Sequence, residues 1–258
     1  MNVNAMSFYS LPKEKRKLLV EQIHRNILSF IQNNGRVNSV AYFSDEDTYV
    51  RKSAYLAIGK IYIANCTLQK KIISILFNLI SEPEFKLRQT AVNAAGEIGI
   101  KYFEPVEHIF DKCLFDKHHS VRNAVIGSVK KMTNKNPIPV LEWAKKYLHH
   151  PDREIRREIC HGIELRGRTH PQDILDMLRE LQHDKTVRVK NTLIHVMGQI
   201  SYKPGCLKTV LAHLKTWDNA AIVDKTIDEI IDVHDRYKDF AALTRQEAID
   251  YINRHFRT

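Results

Sequence analysis

Residues 44–63 read SDEDTYVRKSAYLAIGKIYI, in which acidic residues precede a valine–arginine pair and a run of apolar residues at helical spacing. The same order returns along the chain, with a hydrophobic residue and an arginine after each acidic or proline-marked turn. The five pairs are Val50-Arg51, Leu87-Arg88, Val121-Arg122, Ile155-Arg156 and Val187-Arg188. Their arginines lie 37, 34, 34 and 32 residues apart. A regular period of this length predicts a solenoid of helical repeats.

Each period has room for two helices. Ser44 and Asp45 suit a helix N-terminus, and the apolar residues after them recur at helical spacing. A second amphipathic helix is predicted at residues 68–80, LQKKIISILFNLI. In the next unit the small residues of NAAG at 93–96 allow a neighbouring helix to approach closely. Near the start of the chain, a long helix over residues 13–32 is expected to stop at Asn33-Asn34-Gly35.

The predicted fold is therefore all-α, a right-handed α-α superhelix of about six helical pairs in a single domain spanning residues 1–258. We expect residues 1–40 to form an N-terminal capping helix region, 41–217 the core repeats and 218–258 a degenerate C-terminal capping repeat. In that last repeat Asp224 stands where the periodic arginine would fall. Terminal units are expected to differ because each presents one polar face to water.

Composition favours a protein of the cytoplasm with an acidic partner. The formal net charge is +10, and hydrophobic residues make up 43% of the chain. A positive surface attracts nucleic acid through counterion release and long-range steering. The sequence holds no apolar run long enough for a transmembrane helix and no secretory signal pattern, so no membrane association is expected. The four cysteines have neither zinc-motif nor disulfide-framework spacing and are predicted to be free, buried thiols.

The periodic arginines have two interpretations. An acidic residue at each turn lies near the positive end of the next helix, and an arginine one turn later can reach the acid of a neighbouring unit. A ladder of such ion pairs would hold the repeats in register. Alternatively, the first helices of the units line the concave face of the solenoid, and the arginines form a basic stripe for a phosphate backbone.

The units resemble HEAT repeats, which are armadillo-like, because an acidic residue and a hydrophobic–arginine pair precede an alanine-rich first helix and an apolar second helix. The resemblance covers roughly residues 40–235. HEAT proteins are mostly binding scaffolds, so the resemblance implies the fold and leaves activity open.

The densest polar segment is residues 149–171, HHPDREIRREICHGIELRGRTHP. On a helix starting near Asp152, Arg153, Arg157 and His161 share one face. With further arginines in the following turn, this face could bind a phosphate or a carboxylate bidentately. Since nearby acids almost balance the arginines, an internal ion-pair network is the alternative.

Size, charge, architecture and the segment HPDREIRREI at 150–159 are similar to those of the AlkD-like DNA glycosylases, which excise alkylated bases. In that family an aspartate beside tryptophans supports a cationic transition state, and an arginine grips the DNA backbone. The resemblance carries the backbone arginine onto Arg157. It places His118, His119 and Asn123 at the family's Trp-Trp-x-x-x-Asp segment, and no tryptophan lies near residues 193–195.

Because Asn123 carries no negative charge, this departure points to a binding relative rather than an excising enzyme. The leading prediction is a non-catalytic module whose basic concave face binds DNA or RNA through its phosphates. The alternatives are an AlkD-like glycosylase with a shifted active site and a protein-interaction scaffold. The partner of such a scaffold is an acidic protein or, through the acidic C-terminal units, a basic one. No catalytic residue, cofactor or metal site is predicted, because the histidines form no HxxxH or HExxH motif.

The candidate residues follow from these arguments. The predicted nucleic-acid-binding residues are Arg122, Arg157, Arg166, Arg168, Arg188 and Lys190. The predicted pocket residues are His119, Asn123, His161 and His195.

Overall fold

The structure, a computed structural model, describes residues 7–33 and 40–256 of the chain. All regular structure in these ranges is helical, which confirms the all-α prediction. The α-helices are α1 (Lys13–Gln32), α2 (Ala41–Ser44), α3 (Thr48–Ala64), α4 (Gln69–Leu79), α5 (Phe85–Gly99), α6 (Glu107–Cys113), α7 (His119–Lys135), α8 (Pro137–Lys145), α9 (Arg153–Gly162), α10 (Glu164–Gly167), α11 (Leu175–Glu180), α12 (Val187–Gln199), α13 (Cys206–Leu214), α14 (Ala220–Arg236) and α15 (Arg245–His255). Short 3-10 turns lie at Phe8–Ser10, Cys66–Leu68, Glu104–Val106 and Pro171–Asp173.

The chain packs as two compact units, Met1–Ser128 and Val129–Thr258, and α7 contains the boundary. Within each unit a long first helix is followed by a second, more apolar helix, as in α3 and α4 or α12 and α13. This alternation confirms the HEAT-like repeat prediction. The proposed division into a capping region, core repeats and a degenerate last repeat stays a prediction.

In the first unit, α3 packs against both α1 and α5. Small residues make these approaches close, as the sequence predicts. A Cβ added to Gly59 of α3 would lie 2.6 Å from the Cβ of Glu97 on α5. A Cβ added to Gly96 would overlap the Ser128 side chain on α7. Glycine is therefore required where these helices meet.

In the second unit, α12 is the central helix and packs against both α9 and α14. Its buried face includes Leu193 and Val196, which are fully excluded from solvent together with Ile159 of α9 and Ile230 of α14. Burial of each such side chain stabilises the fold by roughly 1.5–3 kcal/mol. The face of α12 that turns away from this core is polar, and it forms part of the site described below.

Acidic residues cap the first helices. Asp47 accepts a hydrogen bond from the amide of Tyr49 at the start of α3, and Asp152 accepts one from Glu154 at the start of α9. The predicted start at Ser44 and Asp45 is wrong by a few residues because Ser44 ends α2. Asp45 instead accepts a hydrogen bond from the Asp47 amide.

Two of the periodic arginines form the predicted ion-pair ladder. Arg88 makes a bidentate pair with Asp116, with Nε–Oδ2 at 2.7 Å and Nη2–Oδ1 at 2.9 Å. Arg156 pairs with Asp184 in the same way, at 2.6 Å and 3.2 Å. Both pairs join residues 28 positions apart, so each ties one repeat to the next within its own unit.

A second contact ties the arginines to the turn before their own helix. In Arg51, Arg88, Arg122 and Arg156 alike, Nη1 donates to the backbone carbonyls six and five residues earlier. These bonds hold each guanidinium against the helix start and satisfy carbonyls in the turn. These contacts give the four arginines a structural role at the start of their helices. Arg188 does not follow this pattern.

The described thiols match the sequence prediction with one exception. Cys113, Cys160 and Cys206 are buried and free, whereas Cys66 is free but exposed, so the prediction of a buried thiol is wrong there. Burial raises the pKa of Cys113 to about 12, and the thiol stays protonated and unreactive at neutral pH.

Candidate functional site

The second unit carries an open groove between α9 and α12 with a volume of about 920 Å³. Its positively charged and imidazole-bearing residues are Arg153, Arg157, His161, Lys185, Arg188 and His195. Asn191 and Thr192 add neutral hydrogen-bonding groups. Among the described residues that line the groove, none is a phenylalanine, tyrosine, tryptophan or carboxylate.

Helical spacing places these side chains together. The Asp152 cap starts α9 one residue before Arg153, so Arg157 and His161 follow one and two turns later on the same face. On α12, Arg188 and His195 are two turns apart. Because α9 and α12 pack against each other, the two polar stripes face a common space.

At the mouth of the groove, guanidinium groups outnumber carboxylates. Glu154 is shared by three guanidinium groups, with Nε of Arg157 and Nε of Arg188 each at 3.0 Å and Nε of Arg153 at 3.9 Å. Arg157 also lies 3.5 Å from the carboxylate of Glu158. Arg153 and Arg188 remain 62% and 60% exposed, so their remaining N–H groups face solvent and can bind an incoming anion.

At Arg188 a different residue binds the carbonyl that the repeat pattern assigns to the arginine. The carbonyl six residues before it belongs to Gln182, and that oxygen accepts a 2.7 Å hydrogen bond from Nδ2 of Asn219. Oε1 of Gln182 accepts from the amides of Asp218 and Asn219. The turn is thus satisfied without an arginine, and Arg188 extends toward Glu154 instead.

An ionic cluster around the buried carboxylate of Glu164 includes His161. Nζ of Lys130 is 2.9 Å from Nε2 of His161 and 3.2 Å from Oε2 of Glu164. Nη2 of Arg168 binds the other Glu164 oxygen. Burial raises the pKa of Glu164, but the hydrogen bond to His161 and the charges of Lys130 and Arg168 outweigh it and hold the pKa at about 2. Glu164 is therefore ionised at neutral pH, with its charge balanced by its neighbours.

His161, Glu164 and His195 are the residues most suited to hold a metal, since their ligand atoms all lie within 4.8 Å of one another. The ammonium group of Lys130 already occupies this space as a cation. A metal ion would have to displace it and would meet the guanidinium of Arg168 on the same carboxylate. The arrangement therefore suits an internal ion pair better than a metal.

Four of the predicted site residues meet in the groove: Arg157, His161, Arg188 and His195. Three others in the same unit have different positions. Arg166 pairs with Asp173 at 2.6 Å. Arg168 binds Glu164 and donates to Gln199 at 2.8 Å. These two arginines thus form internal ion pairs, as the alternative interpretation of the segment 149–171 expects, and Lys190 is half-buried outside the groove lining. The nucleic-acid-binding role of all three stays a prediction.

The remaining three predicted residues belong to the first unit. Arg122 donates to the carbonyls of Asp116 and Lys117 at the start of α7. His119 is exposed, and its ring stacks on that of His118 at 4.8 Å. Asn123 is exposed on the same helix. Their binding roles stay predictions.

Six residues of the groove lining are not among the predicted site residues. The sequence places Arg153 on the α9 face without assigning it a contact, and the other five are Lys185, Thr186, Val187, Asn191 and Thr192. Helical spacing from Arg188 could have found Asn191 and Thr192, which lie one turn after it. Lys185 lies in the turn before α12, where sequence spacing does not predict side-chain direction.

No protein-family model and no curated protein matches this chain. Similar solved structures include Escherichia coli YibA, with 18% identity over 98% of this chain and 99% of that chain and a TM-score of 0.46. An archaeal HEAT-like repeats protein from Thermococcus onnurineus NA1 has 16% identity over 97% of both chains and a TM-score of 0.40. A structure of the Pds5-Scc1 complex has 12% identity over 95% of this chain and 38% of that chain, with a TM-score of 0.48.

At these identities and TM-scores the likeness concerns the repeated helical fold, and the function has to be argued from the groove. The resemblance to AlkD-like glycosylases stays a prediction. Among the described residues, every helix is too short or too polar to cross a lipid bilayer.

Proposed function

We propose that this chain is a non-catalytic HEAT-like binding module that uses the α9–α12 groove to bind an acidic partner, with the phosphate backbone of nucleic acid as the first candidate. The observation that carries the proposal is the sharing of one carboxylate, Glu154, by Arg153, Arg157 and Arg188. Three guanidinium groups around one acid leave hydrogen-bond donors and positive charge for an external anion.

Guanidinium groups suit phosphate because their paired N–H donors match two phosphate oxygens. Lys185 in the turn before α12 adds a further cation, and Asn191 and Thr192 can donate to phosphate or sugar oxygens. The openness and polarity of the groove favour an extended chain over a small apolar molecule. Base excision would need an aromatic contact and a carboxylate at the reacting sugar, and the described lining supplies neither, which supports a binding role.

The test is a fluorescence-anisotropy titration of labelled single-stranded DNA, duplex DNA and RNA against the full chain at 50 and 200 mM salt. With three phosphate contacts to duplex DNA, binding should weaken roughly 40-fold over this range. Arg188→Ala should weaken binding and lower the slope of log K against log salt by about 1. No binding at 50 mM salt, or binding that does not change with salt, would contradict the proposal.

Arg179→Ala is the matched control because Arg179 lies in the same unit, is 43% exposed and pairs with the exposed Asp176 outside the groove. It should leave both affinity and salt slope unchanged. Polyglutamate used as a competitor separates the two kinds of acidic partner. If it displaces nucleic acid at equal charge concentration, the groove recognises negative charge alone, and the nucleic-acid assignment is overturned in favour of an acidic protein.

A further inference from the structure

A second cavity, of about 560 Å³, lies in the first unit between α1 and α3. Its floor is apolar and includes Val20 of α1 and Leu56 of α3. Cavities of roughly 300–1,000 Å³ are the size that encloses a small organic ligand. The cavity shares no residue with the α9–α12 groove and plays no part in the function proposed above.

One end of the cavity is an aromatic wall formed by Phe8, Tyr9 and Tyr49. Phe8 stacks on Tyr49 with ring centroids 5.9 Å apart, and Tyr9 meets Tyr49 edge to face at 4.3 Å. Tyr9 and Tyr49 nevertheless stay 56% and 41% exposed. Two large aromatic side chains are thus held in place with ring surface still open to a ligand.

Asp47 holds this wall in place. Its Oδ2 accepts a 2.6 Å hydrogen bond from the amide of Phe8, while its Oδ1 caps α3 through the amide of Tyr49. The carboxylate therefore joins the 3-10 turn at Phe8–Ser10 to the start of α3. Since the backbone at Phe8 and at Tyr49 is held by the Asp47 side chain, the aromatic wall is already in place before a ligand binds.

The rim of the cavity is basic. Lys52 and Lys60 project from exposed positions two turns apart on α3, and Arg25 and His24 contribute from α1. Glu21 is the sole carboxylate among the described residues that line it. A shallower depression that shares Phe8, Val20 and Glu21 adds three more cations, Lys13, Arg16 and Lys17. Arg16 lies over the Tyr9 ring at 4.9 Å, so positive charge reaches the aromatic wall itself.

We infer that this cavity binds a small, flat aromatic anion, with the ring against the aromatic wall and the apolar floor and the anionic group between the rim cations. The exposed tyrosine rings favour a flat body over a branched one. The excess of cations over Glu21 favours a carboxylate, sulfonate or phosphate. A nucleotide and an aromatic carboxylate both carry this chemistry.

The experiment uses two fluorescent probes on the full chain. The first is 8-anilinonaphthalene-1-sulfonate, and the second is N-phenyl-1-naphthylamine, which has the same aromatic body without the sulfonate. Saturable fluorescence enhancement is expected for both, with the sulfonate bound at least about tenfold more tightly, as one charge-assisted hydrogen bond predicts. No saturable binding of the sulfonate, or equal affinity for the two probes, overturns the inference.

Substitutions of cavity residues test whether the probes bind in the cavity. The double substitution Lys52→Glu and Lys60→Glu should weaken the sulfonate probe at least about tenfold and leave the neutral probe within about twofold. The control is Lys70→Glu with Lys101→Glu, which makes the same charge change at two exposed positions of the same unit outside the cavity. If the control pair loses as much affinity for the sulfonate probe, the effect comes from surface charge rather than from the cavity, and the inference is overturned.

Leu56→Trp fills the cavity from its floor and should weaken both probes, with an unchanged circular-dichroism spectrum as evidence of folding. Retained binding of both probes in this variant would place them elsewhere and sink the proposal. Displacement of the sulfonate by adenosine monophosphate assigns a nucleotide, and displacement by indole-3-acetate assigns an aromatic carboxylate. Displacement by neither compound overturns the assignment of a flat aromatic anion.

Discussion

Nδ2 of Asn219 donates a 2.7 Å hydrogen bond to the backbone carbonyl of Gln182, the oxygen that the repeat pattern assigns to Arg188. In four earlier repeats the periodic arginine binds the carbonyl six residues before it. Here an asparagine from the following turn does so, and the same residue caps α14. Arg188 instead pairs with Glu154 and lines the groove.

We expect Asn219→Ala to destabilise the second unit by about 1–2 kcal/mol, because it removes an N-cap and leaves the Gln182 carbonyl without this donor. Urea denaturation followed by circular dichroism measures the change. Asn191→Ala is the control, since Asn191 is exposed on α12 and caps no helix. An equal loss in both variants would show that Asn219 has no special role.

Arg88→Met should destabilise the chain by about 3 kcal/mol. The Arg88 and Asp116 side chains are only 6% and 10% exposed, so the substitution leaves a buried carboxylate without its guanidinium partner. In the wild-type protein, burial by itself would raise the pKa of Asp116. The hydrogen bonds from Arg88 and the His118 amide outweigh this effect and lower the pKa below its usual value. Chemical denaturation at pH 7 gives the free energy of unfolding.

Arg179→Met makes the same chemical change at a solvent-exposed ion pair and should alter stability very little. If the two substitutions had equal effects, the buried ladder would contribute no more than a surface pair.

The Glu164 cluster should make stability depend on pH in acid. The folded-state pKa of about 2 lies below the ordinary value of 4.5, so the ionised carboxylate stabilises the fold fully above pH 4.5. That stability is lost as the pH falls toward 2. The difference in unfolding free energy between wild type and Glu164→Gln should narrow by about 2 kcal/mol from pH 7 to pH 3. Urea titrations at both pH values test this, and a constant difference would contradict it.

Protonation of His234 should make the stability of the fold depend on pH in a milder range. The side chain is 1% exposed, and burial lowers its pKa below the ordinary 6.5, although the hydrogen bond to the Ile230 carbonyl opposes this. The unfolded chain therefore binds a proton more readily, and stability falls as the pH drops below 6.5. His234→Phe should lose less stability than wild type between pH 7.5 and 5.5. Urea denaturation of both proteins at the two pH values measures this. Equal losses of unfolding free energy in wild type and His234→Phe would refute the expectation.

Much of the fold was predictable because it depends on local spacing. Apolar residues at helical intervals predicted the paired helices, and the long helix predicted at 13–32 matches α1. The helix starts were less accurate. Ser44 and Asp45 have the residue types of a cap, yet the cap is Asp47, since the choice among adjacent acids depends on which carboxylate reaches the free amides.

The candidate site was predictable only in part. Arg157 and His161 share a helix face by spacing alone, and the sequence placed them together correctly. Arg166 and Arg168 are equivalent to them in sequence, but in the structure they pair with Asp173 and Glu164. Whether an arginine binds an internal acid or faces solvent depends on its distance to carboxylates in other turns of the chain. The sequence does not show this distance.

The periodic hydrophobic–arginine pairs by themselves determined the repeat length and the helical class, because these features follow from residue type and spacing. The sequence offered the ion-pair ladder as one of two interpretations, and the structure shows it at Arg88 and Arg156. The tertiary structure alone decided that Arg188 leaves the ladder, that three guanidinium groups share Glu154, and that Asp47 holds an aromatic wall beside α3. Each of these depends on side chains 30 or more residues apart in sequence meeting within hydrogen-bonding distance. Hydrogen bonds and ion pairs depend steeply on distance and direction, which only the packed chain defines.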